Sequence, residues 1–148
     1  MNSSKSIFFI LAFTIFLFIF NDCNSNQDEK QHDEASASIN FQSFQQKFKS
    51  NQDLQILDVR TLEEYKSGYI PGALVLPVQD LDSSKDVSDI LSKINKNEEV
   101  YIYCTAGGPR SQRATQILRT LGFKKAYFIE GGIAKWIIQG NLVEKVNQ

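Results

Sequence analysis

From residue 41 to residue 139 the chain alternates short apolar runs of strand length with stretches whose apolar residues recur at helical spacing. No other feature limits the fold as much, because the two periods demand different backbones. Four strand candidates stand out: residues 54–59 (LQILDV), 73–78 (ALVLPV), 100–103 (VYIY) and 126–129 (AYFI). Each is rich in β-branched or aromatic residues and too uniformly apolar for a strand with a solvated face. Between them lie helical signals. Phe41, Phe44 and Phe48 fall at i, i+3 and i+7. Residues 62–66 read as a helical turn, with Gly68 and Pro71-Gly72 marking the turn that follows. Residues 82–89 (DSSKDVSD) offer N-caps for a helix through Ile94. Ala114, Ile117, Leu118 and Leu121 form a stripe over 111–121 that Gly122 closes, and 133–139 is a last helix carrying Trp136. Strand and helix in alternation predict an α/β domain, a mostly parallel sheet with helices on both faces.

Composition sets the organisation around that domain. The 148 residues amount to one domain, with no internal repeat. Apolar residues are concentrated at residues 7–20 (IFFILAFTIFLFIF), which are apolar at 13 of 14 positions and hold 6 of the 11 Phe. Fourteen residues are short for a membrane span and suit the h-region of a secretory signal. Residues 1–22 are therefore expected to be an export signal. Cys23 directly follows it, which points to lipoprotein processing with Cys23 as the lipidated residue, although Asp22 fits that pattern poorly. An uncleaved anchor and a soluble secreted form stay open, and each still places the domain outside the cytoplasm: periplasmic, or attached to the membrane through its N-terminus only. Residues 23–39 are polar and read as a flexible tether to a domain over 40–148. Sixteen basic against 17 acidic residues exclude a strongly basic nucleic-acid binder. Two cysteines exclude a disulfide scaffold. The single histidine, His32, lies in the tether without a second metal ligand at suitable spacing, so neither a Ser-His-Asp triad nor a His-based metal site is expected on the domain.

The chemistry is expected at Cys104, in V-Y-I-Y-C-T-A-G-G-P-R-S-Q-R-A. Cys104 ends a strand, residues 105–109 make a tight loop, and Ser111 begins a helix. Such a turn directs backbone N–H groups inward and forms a nest for an anion, with Thr105, Ala106, Gly107, Gly108, Arg110 and Ser111 as the surrounding residues. The helix dipole adds partial positive charge and Arg110 a full one. A thiol held there ionises readily and becomes a nucleophile; the same nest accommodates a persulfide or the oxyanion of a substrate. The competing readings are a buried inert thiol and a disulfide between Cys23 and Cys104.

These segments resemble the successive signatures of a rhodanese domain: Leu57-Asp58-Val59-Arg60, then Glu64 to Ala73 (EYKSGYIPGA), Tyr103-Cys104, Leu121-Gly122-Phe123, Glu130-Gly131-Gly132 and Trp136. They follow the family's order over residues 41–143. The resemblance implies a five-stranded parallel sheet with helices on both faces. It implies sulfur transfer through a persulfide on Cys104, loaded by thiosulfate or another donor and unloaded by cyanide or a thiol, with no cofactor or metal. A small exported form is similar to the periplasmic phage-shock type. Two positions depart from the pattern. Tyr69 stands where the family usually has His; a tyrosine fills that space and still donates a hydrogen bond. Arg110 lies six positions after Cys104 rather than five. The longer loop matches the Cys-x5-Arg-Ser/Thr pattern of cysteine phosphatases and of rhodanese-fold phosphatases and arsenate reductases. That keeps a phosphatase or arsenate reductase open beside the sulfurtransferase, as well as a non-catalytic module that binds an anion or sulfur. Against phosphate stand Pro109, which has no N–H, and Tyr103 in place of the usual His.

Other polar residues are expected to be structural. Asp58 and Arg60 follow a buried strand and should pair. Arg113 and Arg119 are expected on a solvated helix face, Lys124-Lys125 in a turn, and Trp136 in the core. With no second cysteine on the domain, any thiol reductant that unloads Cys104 must come from elsewhere.

Overall fold

The computed structural model describes residues 37–51 and 53–146. The export signal, Cys23, His32 and the tether up to residue 36 lie outside the described residues. Five parallel strands form one sheet: β1 Ser38–Ile39, β2 Gln55–Asp58, β3 Leu74–Val75, β4 Val100–Tyr103 and β5 Ala126–Ile129, in the spatial order β1-β5-β4-β2-β3. Among the described residues six helices accompany them: α1 Phe41–Ser50, α2 Leu62–Ser67, α3 Val78–Leu81, α4 Ser88–Leu91, α5 Pro109–Thr120 and, after β5, α6 Gly132–Ile138. The expected five-stranded parallel α/β sheet is therefore the one observed. Among the described residues no helix is long and apolar enough to cross a membrane.

Strand alternation sorts the core into two chemically different halves. Val100 and Ile102 of β4 face an aliphatic cluster with Leu57, Val59, Leu76, Ala114 and Leu118, packed under α3, α4 and α5. Tyr101 and Tyr103 face an aromatic cluster with Phe41, Phe44, Ile133 and Trp136, packed under α1 and α6. The α1 stripe buries Phe41 and Phe44, and its Phe48 meets the Trp136 ring edge-on at 4.8 Å. Asn40 caps α1 by accepting from the Ser43 N–H at 2.9 Å. Trp136 is the core residue expected, and its indole N–H donates to the Leu142 carbonyl at 2.8 Å.

Four elements differ from the sequence expectation. Ser38–Ile39, expected in the tether, form the edge strand β1 in register with Phe128 and Ile129. Of the run 73–78 only Leu74–Val75 is strand, because Pro77 offers no N–H to the ladder and instead stands at the N-cap of α3. Of the helix expected to start from an N-cap within 82–89 and run through Ile94, only the short α4 forms, and α3 lies before it. Between them Ser83 and Asp86 bond local backbone (Lys85 N–H to Ser83 Oγ, Ser88 N–H to Asp86 Oδ1), and no apolar side chain stands between Asp82 and Asp86 to hold a helix on the sheet. The helix after the Cys104 loop starts at Pro109 rather than Ser111, with Pro109 in the first turn, where its missing N–H costs nothing.

The strand order fixes where a site can form. From β2 the chain moves outward to β3; from β4 it moves the opposite way to β5. The reversal lies between the C-terminal ends of β2 and β4, the crevice that open α/β sheets use for ligands. Asp58 ends β2, and Cys104 follows β4.

Candidate active site

Cys104 is buried, and its Sγ lies 3.3 Å from the Ser111 Oγ and 4.0 Å from the Gly108 carbonyl. Burial alone would raise the thiol pKa. Hydrogen bonds from the Ser111 hydroxyl and from the amides of Ser111, Ala106 and Gly108 outweigh it and hold the thiol below its ordinary value. The Ser111 Oγ also lies 3.0 Å from the Gly108 carbonyl, so its single proton can serve either that oxygen or an ionised sulfur. Ser111, Ala106 and Gly108 are thus the loop residues that act on the Cys104 thiol.

Backbone packing holds the loop. Gly107 has φ +68°, and a Cβ there would stand 2.5 Å from the Ile129 carbonyl and 2.6 Å from the Gly131 nitrogen. Gly132 has φ +53°, and its Cβ would collide with the Cys104 carbonyl and sit 2.8 Å from the Gly107 nitrogen. The first amides of α6 then grip the loop from below: Ile133 N–H donates to the Cys104 carbonyl at 3.1 Å and Ala134 N–H to the Thr105 carbonyl at 2.9 Å. The sequence reading quoted Gly131-Gly132 but gave the pair no role. Gly107 and Gly132 together let the two backbones touch at the Cys104 loop.

Arg110 differs most from expectation. Its guanidinium was expected to add a free positive charge to the nest. Instead it forks onto Glu64 of α2, at 2.7 and 3.1 Å, and also donates to Thr105 Oγ1 at 2.8 Å. Thr105 Oγ1 in turn donates to Glu64 at 3.1 Å. Hydrogen bonding from Arg110 holds the Glu64 carboxyl down at about 2, overcoming partial burial, with help from the Thr61 amide and Thr105. Glu64 went unassigned in the sequence reading. Its local signal was the Thr61-x-x-Glu64 capping box, which the structure forms in full.

Asp58 and Arg60 pair as expected, both buried. Arg60 also donates to the Gly68 carbonyl at 2.7 Å and lies over the Tyr103 ring. Tyr103 accepts from the Ile70 N–H through its hydroxyl, on the opposite face of β4 from Cys104. This network ties the Gly-Tyr-Ile-Pro-Gly segment to the two central strands. Tyr69 stacks on Tyr65, with ring centres 4.1 Å apart. On α5, Arg113 pairs with Asp82 in an exposed ion pair. Arg119 is not on a solvated face: it is half-buried, donating to the Ala126 carbonyl and lying over the Tyr127 ring, because β5 runs beside that end of the helix. Among the described residues no three His, Cys, Asp or Glu side chains gather as a metal site.

A family model of the rhodanese-like domain matches residues 40–139, across the sheet and the Cys104 loop alike. The chain belongs to the rhodanese-like family. A sulfurtransferase of Allochromatium vinosum is 32% identical over 102 residues, covering 69% of this chain and 89% of that protein. YrkF of Bacillus subtilis is 34% identical over 110 residues, 72% of this chain and 56% of YrkF, so this rhodanese-like chain spans about half the length of that relative. The human single-domain sulfurtransferase TSTD1 superposes with a TM-score of 0.60 at 27% identity, over 70% of this chain and 97% of that one.

Proposed function

We propose that this rhodanese-like domain is a sulfurtransferase that carries sulfane sulfur on Cys104. The observation that carries the reading is a buried sulfur at the reversal point of the sheet, 3.3 Å from the Ser111 hydroxyl and with its pKa held down by the surrounding loop donors. Those donors stabilise a thiolate, and equally the terminal sulfur of a persulfide. In the first half-reaction the Cys104 thiolate attacks the outer sulfur of a donor such as thiosulfate. A new S–S bond forms, the donor's S–S bond breaks, and sulfite leaves with the bonding pair. In the second, cyanide or an acceptor thiolate takes that outer sulfur, leaving as thiocyanate or a persulfide and returning Cys104 as thiolate. Each step conserves atoms and charge, and neither needs a cofactor. A thiol that acts as acceptor would come from outside the domain, which has Cys104 as its one cysteine.

Sulfur is favoured over phosphate or arsenate on two grounds. Arg110, which a phosphatase would turn onto the oxyanion, is held by Glu64. The loop presents the Gly108 carbonyl toward the sulfur, and Pro109 contributes no N–H. The full chain given thiosulfate should gain about 32 Da on Cys104, the mass of one sulfur, and should form thiocyanate when cyanide follows. Cys104→Ser should abolish both. Hydrolysis of an aryl phosphate without sulfur loading would overturn the proposal in favour of a phosphatase.

A further inference from the structure

Glu64 spends all its acceptor capacity at the mouth of the site. Oε2 takes the Thr61 N–H at 3.0 Å and one Arg110 N–H at 2.7 Å; Oε1 takes the other Arg110 N–H at 3.1 Å and the Thr105 hydroxyl at 3.1 Å. Capping α2 needs only the first of these. The rest place a fixed negative charge on the one cation of the Cys104 loop, and Thr105, within that loop, closes the ring by accepting from Arg110. The pair is a third exposed, so solvent and solutes reach it. Thr105 follows Cys104 directly in the chain, so the pair is anchored on the residue beside the sulfur.

We propose that Glu64 is the specificity-determining residue of this site. By neutralising Arg110 it disfavours doubly charged anions, and leaves the buried sulfur to donors and acceptors that are neutral or singly charged, such as low-molecular-weight thiols and their persulfides. Thiosulfate then remains a substrate but carries a raised KM. The part that concerns thiosulfate rests on the sulfur-transfer reading; the electrostatic part does not.

The test uses two alkylating agents with the same leaving group, neutral iodoacetamide and anionic iodoacetate. Both need the same thiolate, so any change in Cys104 pKa cancels in the ratio of their rates. Glu64→Gln keeps the α2 cap, since glutamine serves at that position of a capping box. In the full chain it should raise the iodoacetate-to-iodoacetamide ratio at Cys104 about three- to tenfold, the scale of one unit charge several ångströms away in an intermediate dielectric. Arg110→Gln should lower the ratio by a similar factor, the double variant should return to the wild-type value, and added salt should shrink every difference. Glu64→Gln should also lower the KM for thiosulfate and leave kcat in place.

A thermal midpoint that shifts in Glu64→Gln with no change in the ratio would mean that the residue is only structural, and would sink the proposal. If the ratio moves as expected while no variant turns over thiosulfate, the charge role stands and the sulfur-transfer reading falls. If thiosulfate turns over with the same KM in wild type and Glu64→Gln and the ratio is unmoved, the charge role falls and sulfur transfer stands.

Discussion

Two carboxylate–guanidinium pairs stand beside the C-terminal ends of the central strands, chemically alike and at different depths. Asp58 and Arg60 are 0% and 6% exposed. The Arg60 side chain reaches both Asp58 oxygens through three contacts of 2.5–3.0 Å, and its backbone N–H adds a fourth bond. The side chains of Glu64 and Arg110 are 35% and 33% exposed. The deep pair is enclosed by Tyr103 and Gly68. The shallow pair shares Thr105 with the Cys104 loop. Depth therefore separates two jobs. A buried pair is held to its partner because water cannot replace it, which suits a tie between strand and turn. A half-exposed pair adds little to stability, and its field still reaches the sulfur.

The largest effect should come from breaking the deep pair. Asp58→Ala leaves the Arg60 charge buried without its partner, and should cost about 3–5 kcal/mol in urea-induced unfolding. A loss below about 1 kcal/mol, the range of an exposed pair, would erase the contrast between the two sites. Arg60→Lys is the intermediate case. It keeps the charge but gives up the planar fork onto Asp58 and the bond to the Gly68 carbonyl. The expected cost is about 1.5–3 kcal/mol, the worth of a hydrogen bond to a charged group. If lysine were as stable as arginine, the pair would act as two charges rather than as a geometric clamp.

The deep pair was readable because its partners are two residues apart at the end of a strand whose apolar run was plain. Strands β2, β4 and β5 and the Phe41–Phe44–Phe48 face were readable for the same reason: one periodicity carries each of them. Cys104 and its amides were readable because strand, glycines and helix are contiguous. What stayed hidden depends on partners distant in sequence. Ser38–Ile39 carry almost no pattern of their own; the edge strand exists because β5 supplies the ladder, with Phe128 N–H donating to the Ala37 carbonyl and Glu130 N–H to that of Ile39. The Glu64–Arg110 pair joins residues 46 apart. Local spacing marks Glu64 as a cap and says nothing of the guanidinium that folding brings to it. Free Arg110 charge was accordingly the expectation that fared worst, and it concerned the feature that separates sulfur from phosphate chemistry.

The smallest effect should come from breaking the shallow pair, and its size depends on pH. The Glu64 carboxyl falls from an ordinary 4.5 to about 2 in the folded chain, chiefly through Arg110. A lowered carboxylate pKa means that the folded state holds the proton less tightly than the unfolded one. The stability that Glu64 adds is therefore complete above about pH 4.5 and drains away as pH falls toward 2. Because the pair is a third exposed, solvent screens most of that gain, and wild type should exceed Glu64→Gln by less than about 1 kcal/mol at neutral pH. The margin should close in acid, since glutamine does not titrate. Denaturant unfolding of both proteins at pH 7, 4 and 2.5 measures it. A margin of several kcal/mol at pH 7 would place Glu64 with Asp58 as a scaffold tie. A small margin that closes in acid, beside the large loss in Asp58→Ala, would confirm that one fold uses the same chemical pair for strength at one depth and for charge control at another.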